Sequence, residues 1–268
     1  MTKTDSILDV LYEEPGPRTK KRIAFFTLLS IVILVFILLL IVIQFARTGQ
    51  LAPRYWNFFL RRTTWLFILK GLGGTVEVAL TAMAMTFAFG FLLMFGRVRG
   101  NALARFISRC LVEFIRGVPT LLFLYFFFFV TPMLGIKMSA FWKITLPVAI
   151  SASSTVAEVL RSGVNAVPKG QWEAALSLGL SGNMTFFKII FPQAFRYVVP
   201  SLISELVIIL KDTTYAYIVS FNDLMQNASV LISNYDALLS VYLVSAVIYI
   251  LINYILNKCS AALASKRK

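Results

Sequence analysis

The chain has 268 residues, 59% of them hydrophobic, with a mean hydropathy of +0.80, above the apolar content of about half that soluble domains show, which marks an integral membrane protein. It carries a formal net charge of +14 and no histidine, so the commonest general base, proton shuttle and zinc ligand are missing and no catalysis is expected within it. The basic excess is assigned to flanks that orient membrane helices rather than to nucleic-acid contact, and Cys110 and Cys259 provide neither a CxxC metal pair nor a disulfide framework.

Residues 1–22 are polar and end in the basic cluster Arg18, Lys20, Lys21 and Arg22, which predicts a cytoplasmic N-terminal segment. Residues 23–45 follow, broken only by Thr27, Ser30 and Gln44. At about 1.5 Å per residue this stretch crosses a hydrocarbon core of about 30 Å. It is too long for a signal-peptide core and no small-residue cleavage site follows, so an uncleaved first helix is predicted. Residues 46–70 set Trp56, Phe58, Phe59, Trp65 and Phe67 among Arg54, Arg61, Arg62 and Lys70. That mixture predicts an extracytoplasmic interfacial segment, its arginines anchored at headgroups or drawing in anions.

A transmembrane domain is expected over residues 71–257. The second span, 72–95, opens it and is rich in Thr, Ala, Gly and Met, which suits a closely packed helix. Residues 101–117, with Arg105 and Arg109, read as an amphipathic surface segment. A third span at 118–132 holds the run Phe126 to Phe129 and is short unless it begins nearer Leu111. The fourth, 141–160, is polar for a membrane helix, with Ser151, Ser153, Ser154 and Thr155. Residues 167–192 then leave the apolar pattern and predict two short helices around a break. Pro168 and Gly170 open the first, Gly179 takes the left-handed position after it, Ser181 caps the second and Pro192 stops it. A fifth span at 198–219, a loop with Asn222, Asp223 and Asn227, a sixth span at 237–256 and a basic cytoplasmic tail at 258–268 complete the chain. The fold class is all-α, with about six transmembrane helices. Eighteen Lys and Arg fall in the segments assigned inside and seven in those assigned outside, which puts both termini and the 161–196 region in the cytoplasm.

Within that region, Glu173-Ala174-Ala175, Gly179, Ile189 and Phe191-Pro192 resemble the EAA loop of the membrane subunits of ABC importers, with Phe191 where leucine is usual. Glu113-Phe114-Ile115-Arg116-Gly117-Val118-Pro119, Ala157-Glu158-Val159-Leu160-Arg161-Ser162-Gly163, Val167 to Ala175, Phe191-Pro192-Gln193-Ala194 and Leu210-Lys211-Asp212-Thr213 together resemble the permeases for polar amino acids, over residues 71–257. Val10-Leu11-Tyr12-Glu13-Glu14-Pro15-Gly16-Pro17-Arg18 further resembles actinobacterial glutamate permeases. The resemblance implies a type I importer permease in the plasma membrane. Its implied partners are two ATPase subunits, an extracytoplasmic substrate-binding protein and a second permease chain, a heterodimer being favoured. No GxxxxGK[ST] occurs, so ATP cannot be cradled here in the P-loop manner; the chain is expected to hold no cofactor, with ATP and Mg on the partner subunits, and no metal.

Two sets of residues stand out. Glu173, Ala174, Ala175, Gly179 and Pro192 are the expected ATPase-coupling positions, and Gly179→Asp is expected to abolish transport while leaving membrane insertion intact. Charges inside spans are costly unless paired or wet, which singles out Glu77, Glu205, Lys211 and Asp212. Glu205 and Asp212 are seven apart and share a helical face, near Ile208 and Ile209. The resemblance places an intramembrane amino-acid site on the helix before Lys211-Asp212-Thr213, with Glu205 at the matching position, and makes Glu205, Asp212, Thr213 and Lys211 candidates for substrate binding. Interhelical salt bridging is the other reading of the same charges. For Thr75, Thr81 and the hydroxyls at 151–155, helix–helix hydrogen bonding is favoured over substrate contact. The expected cargo is a polar amino acid, glutamate first, with glutamine, aspartate or a basic amino acid behind. An ion-coupled secondary transporter is the alternative, although it requires coupling-ion sites and usually more spans or an internal repeat.

Overall fold

The structure, a computed structural model, describes residues 16–265. Most of the N-terminal motif, residues 10–15, and Lys3, Lys266, Arg267 and Lys268 of the basic flanks lie outside the described residues. The chain divides into two units, Met1–Trp56 and Asn57–Lys268.

The first unit holds α1, Pro17–Arg47, with proline in its first turn and no buried residue. Proline suits that turn because its missing amide would have had no partner there. A helix apolar on every side is at home in lipid. It runs beyond the predicted 23–45 at both ends, since the basic residues before Ile23 are good helix formers whose long stems can reach the interface.

The second unit begins with a 3-10 turn at Asn57–Leu60. The Thr64 hydroxyl and the Trp65 indole N–H donate to the carbonyls of Phe58 and Phe59, both at 2.7 Å. Helix α2, Arg62–Arg99, follows. The predicted interfacial segment 46–70 therefore splits, its last nine residues forming the opening turns of α2. No Gly or Pro interrupts residues 62–70, and a polar interface does not by itself end a helix. The Asn101 side chain caps α3, Ala102–Gly117, by accepting the Ala104 N–H at 2.8 Å. Gly117-Val118-Pro119 turns the chain through 96° into α4, Thr120–Met133. Then come α5, Ala140–Ala166, α6, Lys169–Ser177, α7, Gly182–Val219, α8, Leu224–Tyr235, and α9, Leu238–Ser265. Among the described residues five helices are long and apolar enough to cross a membrane, or six if the bent α3–α4 pair is one span.

Pro192 does not stop the second arm of the 167–192 hairpin. Helix α7 passes through it, with a π turn at Phe186–Ile190 in which the Phe191 N–H bonds the Phe186 carbonyl. A second π turn, Phe126–Val130, precedes Pro132 by the same two residues. In a regular α-turn a proline ring collides with the carbonyl four residues back, and the wider turn makes room. The predicted second arm and fifth span are consequently one continuous rod.

Helices α2, α5 and α7 form the spine. Val78, Ala79, Ala82, Val148, Ala149 and Ile209 are buried in one cluster; Met94, Val156, Leu160, Phe186, Ile190 and Val198 are buried in another. Lipid tails are as apolar as these side chains, so close packing and interhelical hydrogen bonds hold the helices together, each bond contributing about 0.6 kcal/mol. The Thr86 hydroxyl donates to the Ala149 carbonyl at 3.2 Å, and the Asn227 amide to the Phe67 carbonyl at 2.7 Å. Thr75 Oγ1 accepts the Leu224 N–H at 3.0 Å, which joins α2 to the start of α8.

Outside the spans, fully buried Asp223 caps α8 by accepting the Gln226 N–H at 2.7 Å. Burial pushes its carboxyl up from the ordinary 3.8 to about 6, against main-chain amide bonds that pull it down. The folded state therefore keeps this proton to higher pH than the unfolded state. The resulting stability is complete below about pH 4 and is lost as pH rises through about 6. Asp223→Asn, which still caps a helix, is expected to flatten this decline in a melting-temperature series between pH 4 and 7.

Candidate functional site

Helix α6 and the first turns of α7 form the hairpin, and its turn is closed by local chemistry. Gly179 has a φ of +78°. Its N–H bonds the Leu176 carbonyl at 2.9 Å, and the Leu180 N–H bonds the Ala175 carbonyl at 3.2 Å, the double bond pattern of a Schellman motif. Ser181 Oγ accepts the Met184 N–H at 3.3 Å. The two arms are tied by Gln193, which donates to Gln171 Oε1 at 3.3 Å and to the Ile189 carbonyl at 2.9 Å.

The five coupling positions divide by exposure. Glu173, Ala174, Gly179 and Pro192 are exposed, whereas Ala175 is buried, so only the first of the two alanines can meet another chain. Beside them lie exposed apolar side chains, Leu176, Leu178, Met184 and Phe187, with Leu178 81% exposed. An apolar patch ringed by polar residues on a rigid hairpin is a surface suited to a protein partner.

The four substrate candidates lie on α7 and do not gather at one point. Glu205 is 5% exposed and Asp212 is half-buried; seven residues apart, they lie about two turns from each other on one face of α7. Asp212 Oδ2 accepts from the Thr120 hydroxyl at 3.4 Å, and Thr120 shares a hydrogen bond with Ser151 at 2.8 Å, so the start of α4 meets the middle of α5 and the C-terminal part of α7 there. Lys211 is exposed, and Thr213 is fully buried with its hydroxyl donating to the Leu210 carbonyl at 2.8 Å. Glu77 is exposed on α2. Ser153 and Ser154 bond carbonyls of their own helix at 2.6 and 3.1 Å.

A third group, not picked out by sequence reasoning as a unit, joins α2 to α5. Glu158 accepts from Arg97 and, at 2.9 Å, from Arg161 one turn along its own helix. Only the Glu158–Arg161 spacing was visible in the sequence. Glu158 and Arg161 also line a cavity of about 490 Å³ with Ser162, Gly163, Tyr197 and Ser201.

Residues 86–268 match the family described as the binding-protein-dependent transport system inner membrane component. A glutamate transport system permease protein, GluD, of Corynebacterium glutamicum is 33% identical over 226 residues, covering 81% of this chain and 80% of that protein. A probable glutamine ABC transporter permease protein, GlnP, of Bacillus subtilis is 34% identical over 207 residues, covering 75% and 91%. The crystal structure of an amino acid ABC transporter with histidines superposes with a TM-score of 0.72 at 26% identity, covering 78% of this chain and 98% of its own.

Proposed function

The chain belongs to the binding-protein-dependent transport system inner membrane component family, and on that premise we propose that it is the permease for glutamate, with glutamine next, driven through its hairpin. As a multi-pass membrane subunit of an amino-acid ABC importer it works with ATPase subunits and a binding protein. We further assign both termini and the hairpin to the cytoplasm, ATP and Mg to the partner subunits with none bound here, and the second permease position to a sister chain.

Glu205 carries the substrate reading. A carboxyl almost wholly buried in a membrane helix is costly unless a cation completes it, and among the described residues no ion pair is made by Glu205. The next acid on its helical face, about two turns on, is another carboxyl, Asp212. Two acidic groups on one helical face, one of them held by the Thr120 hydroxyl, suit the α-ammonium of an amino acid, leaving its carboxylates to hydroxyl and cationic groups elsewhere on the path. The name of the C. glutamicum relative supports glutamate, that of the B. subtilis relative glutamine.

Glutamine still accepts from the ammonium but carries no charge, so Glu205→Gln should lower uptake by about tenfold, the difference between a charge-assisted and a neutral hydrogen bond. The assay is uptake into vesicles holding the reconstituted complex, with glutamate, glutamine, aspartate and arginine each presented on the binding protein. Unchanged uptake and unchanged preference in the variant would remove Glu205 from the site. ATPase stimulation by glutamine alone would reassign the cargo.

A further inference from the structure

Arg97 and Arg99 are the last basic residues of α2 and are engaged differently. Arg97 bonds Glu158 of α5. Arg99 crosses to the hairpin and touches both of its arms. A guanidinium N–H donates to Asn183 Oδ1, at the start of α7, at 3.1 Å. The guanidinium carbon lies 5.9 Å from the centre of the Trp172 ring on α6, within cation–π range. Gly182 leaves the space for it, because a Cβ there would come within 2.5 Å of the guanidinium nitrogen. The Arg99 Nε is sealed from solvent and hydrogen-bonds nothing, so shape and the two arm contacts hold the side chain.

The second arm has other ties to α2. Phe95 packs on Phe186 and Phe187 with ring centres 5.4 and 5.5 Å apart. The first arm holds the exposed Glu173 and Ala174, and Trp172, next to them in sequence, is where Arg99 meets it. We propose that Arg99 is the positioning residue that transmits displacement of α6 to α2, so that docking face and membrane helix move together. This rests on the hairpin being the ATPase docking surface. A forked side chain is required: lysine keeps the charge, but its single ammonium cannot bond Asn183 and reach Trp172 with separate groups.

The test is ATP hydrolysed per amino acid imported by the reconstituted complex with its binding protein. Arg99 is off the exposed docking face, so Arg99→Ala and Arg99→Lys are expected to assemble with the ATPase subunits and to hydrolyse ATP. Their ATP cost per amino acid should rise about tenfold, the scale of one lost charge-assisted hydrogen bond. Asn183→Asp, which keeps the acceptor and adds charge, should retain wild-type coupling, and Asn183→Ala should add little to Arg99→Ala. An unchanged ratio in Arg99→Ala overturns the proposal, as does full coupling in Arg99→Lys. A parallel fall of hydrolysis, uptake and assembly also overturns it, by showing a structural role only. If the wild-type ATPase subunits do not cross-link to the Glu173→Cys or Ala174→Cys variants, the docking reading itself fails, whatever the Arg99 variants do.

Discussion

Gly179→Val and Gly179→Asp are expected to abolish uptake while reaching the membrane at the wild-type level, and Gly179→Asn to keep most of the activity. The space around Gly179 is open, with nothing within 4 Å of an added Cβ, so the effect of valine comes from the backbone rather than from a collision. At a φ of +78° an L-residue is strained by roughly 1–2 kcal/mol, and a β-branched one by more. Helix α6 has nine residues, too few to persist in water without its caps and its packing. The strain therefore falls on a hairpin with little local stability, opens the Schellman bonds and displaces Glu173 and Ala174 from the face they share. Asparagine tolerates the left-handed region and is nearly isosteric with aspartate, so the Asn–Asp contrast isolates the effect of charge at the partner contact. Uptake by vesicles and surface biotinylation of the same preparations measure the two quantities. Normal uptake by Gly179→Val would end the coupling role of this turn; equal loss in Asn and Val would shift the cause from backbone to bulk.

That hairpin was the most legible part of the sequence because its signals are local. A glycine after a short helical run, a serine before the next and the intervening spacing fix the turn between the arms without tertiary contacts. Span ends were less legible. Hydropathy reports where lipid ends, not where backbone hydrogen bonding ends, and so α1 and α2 extend past their predicted limits. Pro192 was misread for a related reason. A proline stops a helix only if the α register holds, and the π turn before it changes the register. The Glu205–Asp212 face follows from a seven-residue spacing, but the arrival of Thr120 and Ser151 beside Asp212 depends on packing between three helices. Arg97 and Glu158 are 61 positions apart, Arg99 and Asn183 84 apart; no periodicity within one helix connects them.

Glu158→Ala is expected to have the largest effect on the membrane domain itself. Glu158 is the acceptor between two guanidinium groups, and the side chains of Arg97, Glu158 and Arg161 are 15%, 23% and 39% exposed. Removing the shared carboxylate does more than delete two bonds. It leaves Arg97, largely out of water, facing another cation with no counter-charge, and breaking a buried pair this way costs about 3–5 kcal/mol. Arg161 reaches solvent, so screening brings the expected loss towards about 2–3 kcal/mol, equivalent to a fall of very roughly 5–10 °C in melting temperature. Uptake should fall with it, since α2 and α5 separate at the end of the spine where Arg99 leaves for the hairpin. The double variant Glu158→Leu with Arg97→Met replaces the pair by apolar side chains of similar size, and that exchange is often neutral. It should recover most of the lost stability, whereas Arg97→Met alone should cost less than Glu158→Ala because Arg161 still satisfies the glutamate. Melting of the detergent-purified chain for Glu158→Leu, Arg97→Met and the double variant gives the coupling energy directly. Additive single effects would show that the Arg97–Glu158 pair does not hold the two helices together.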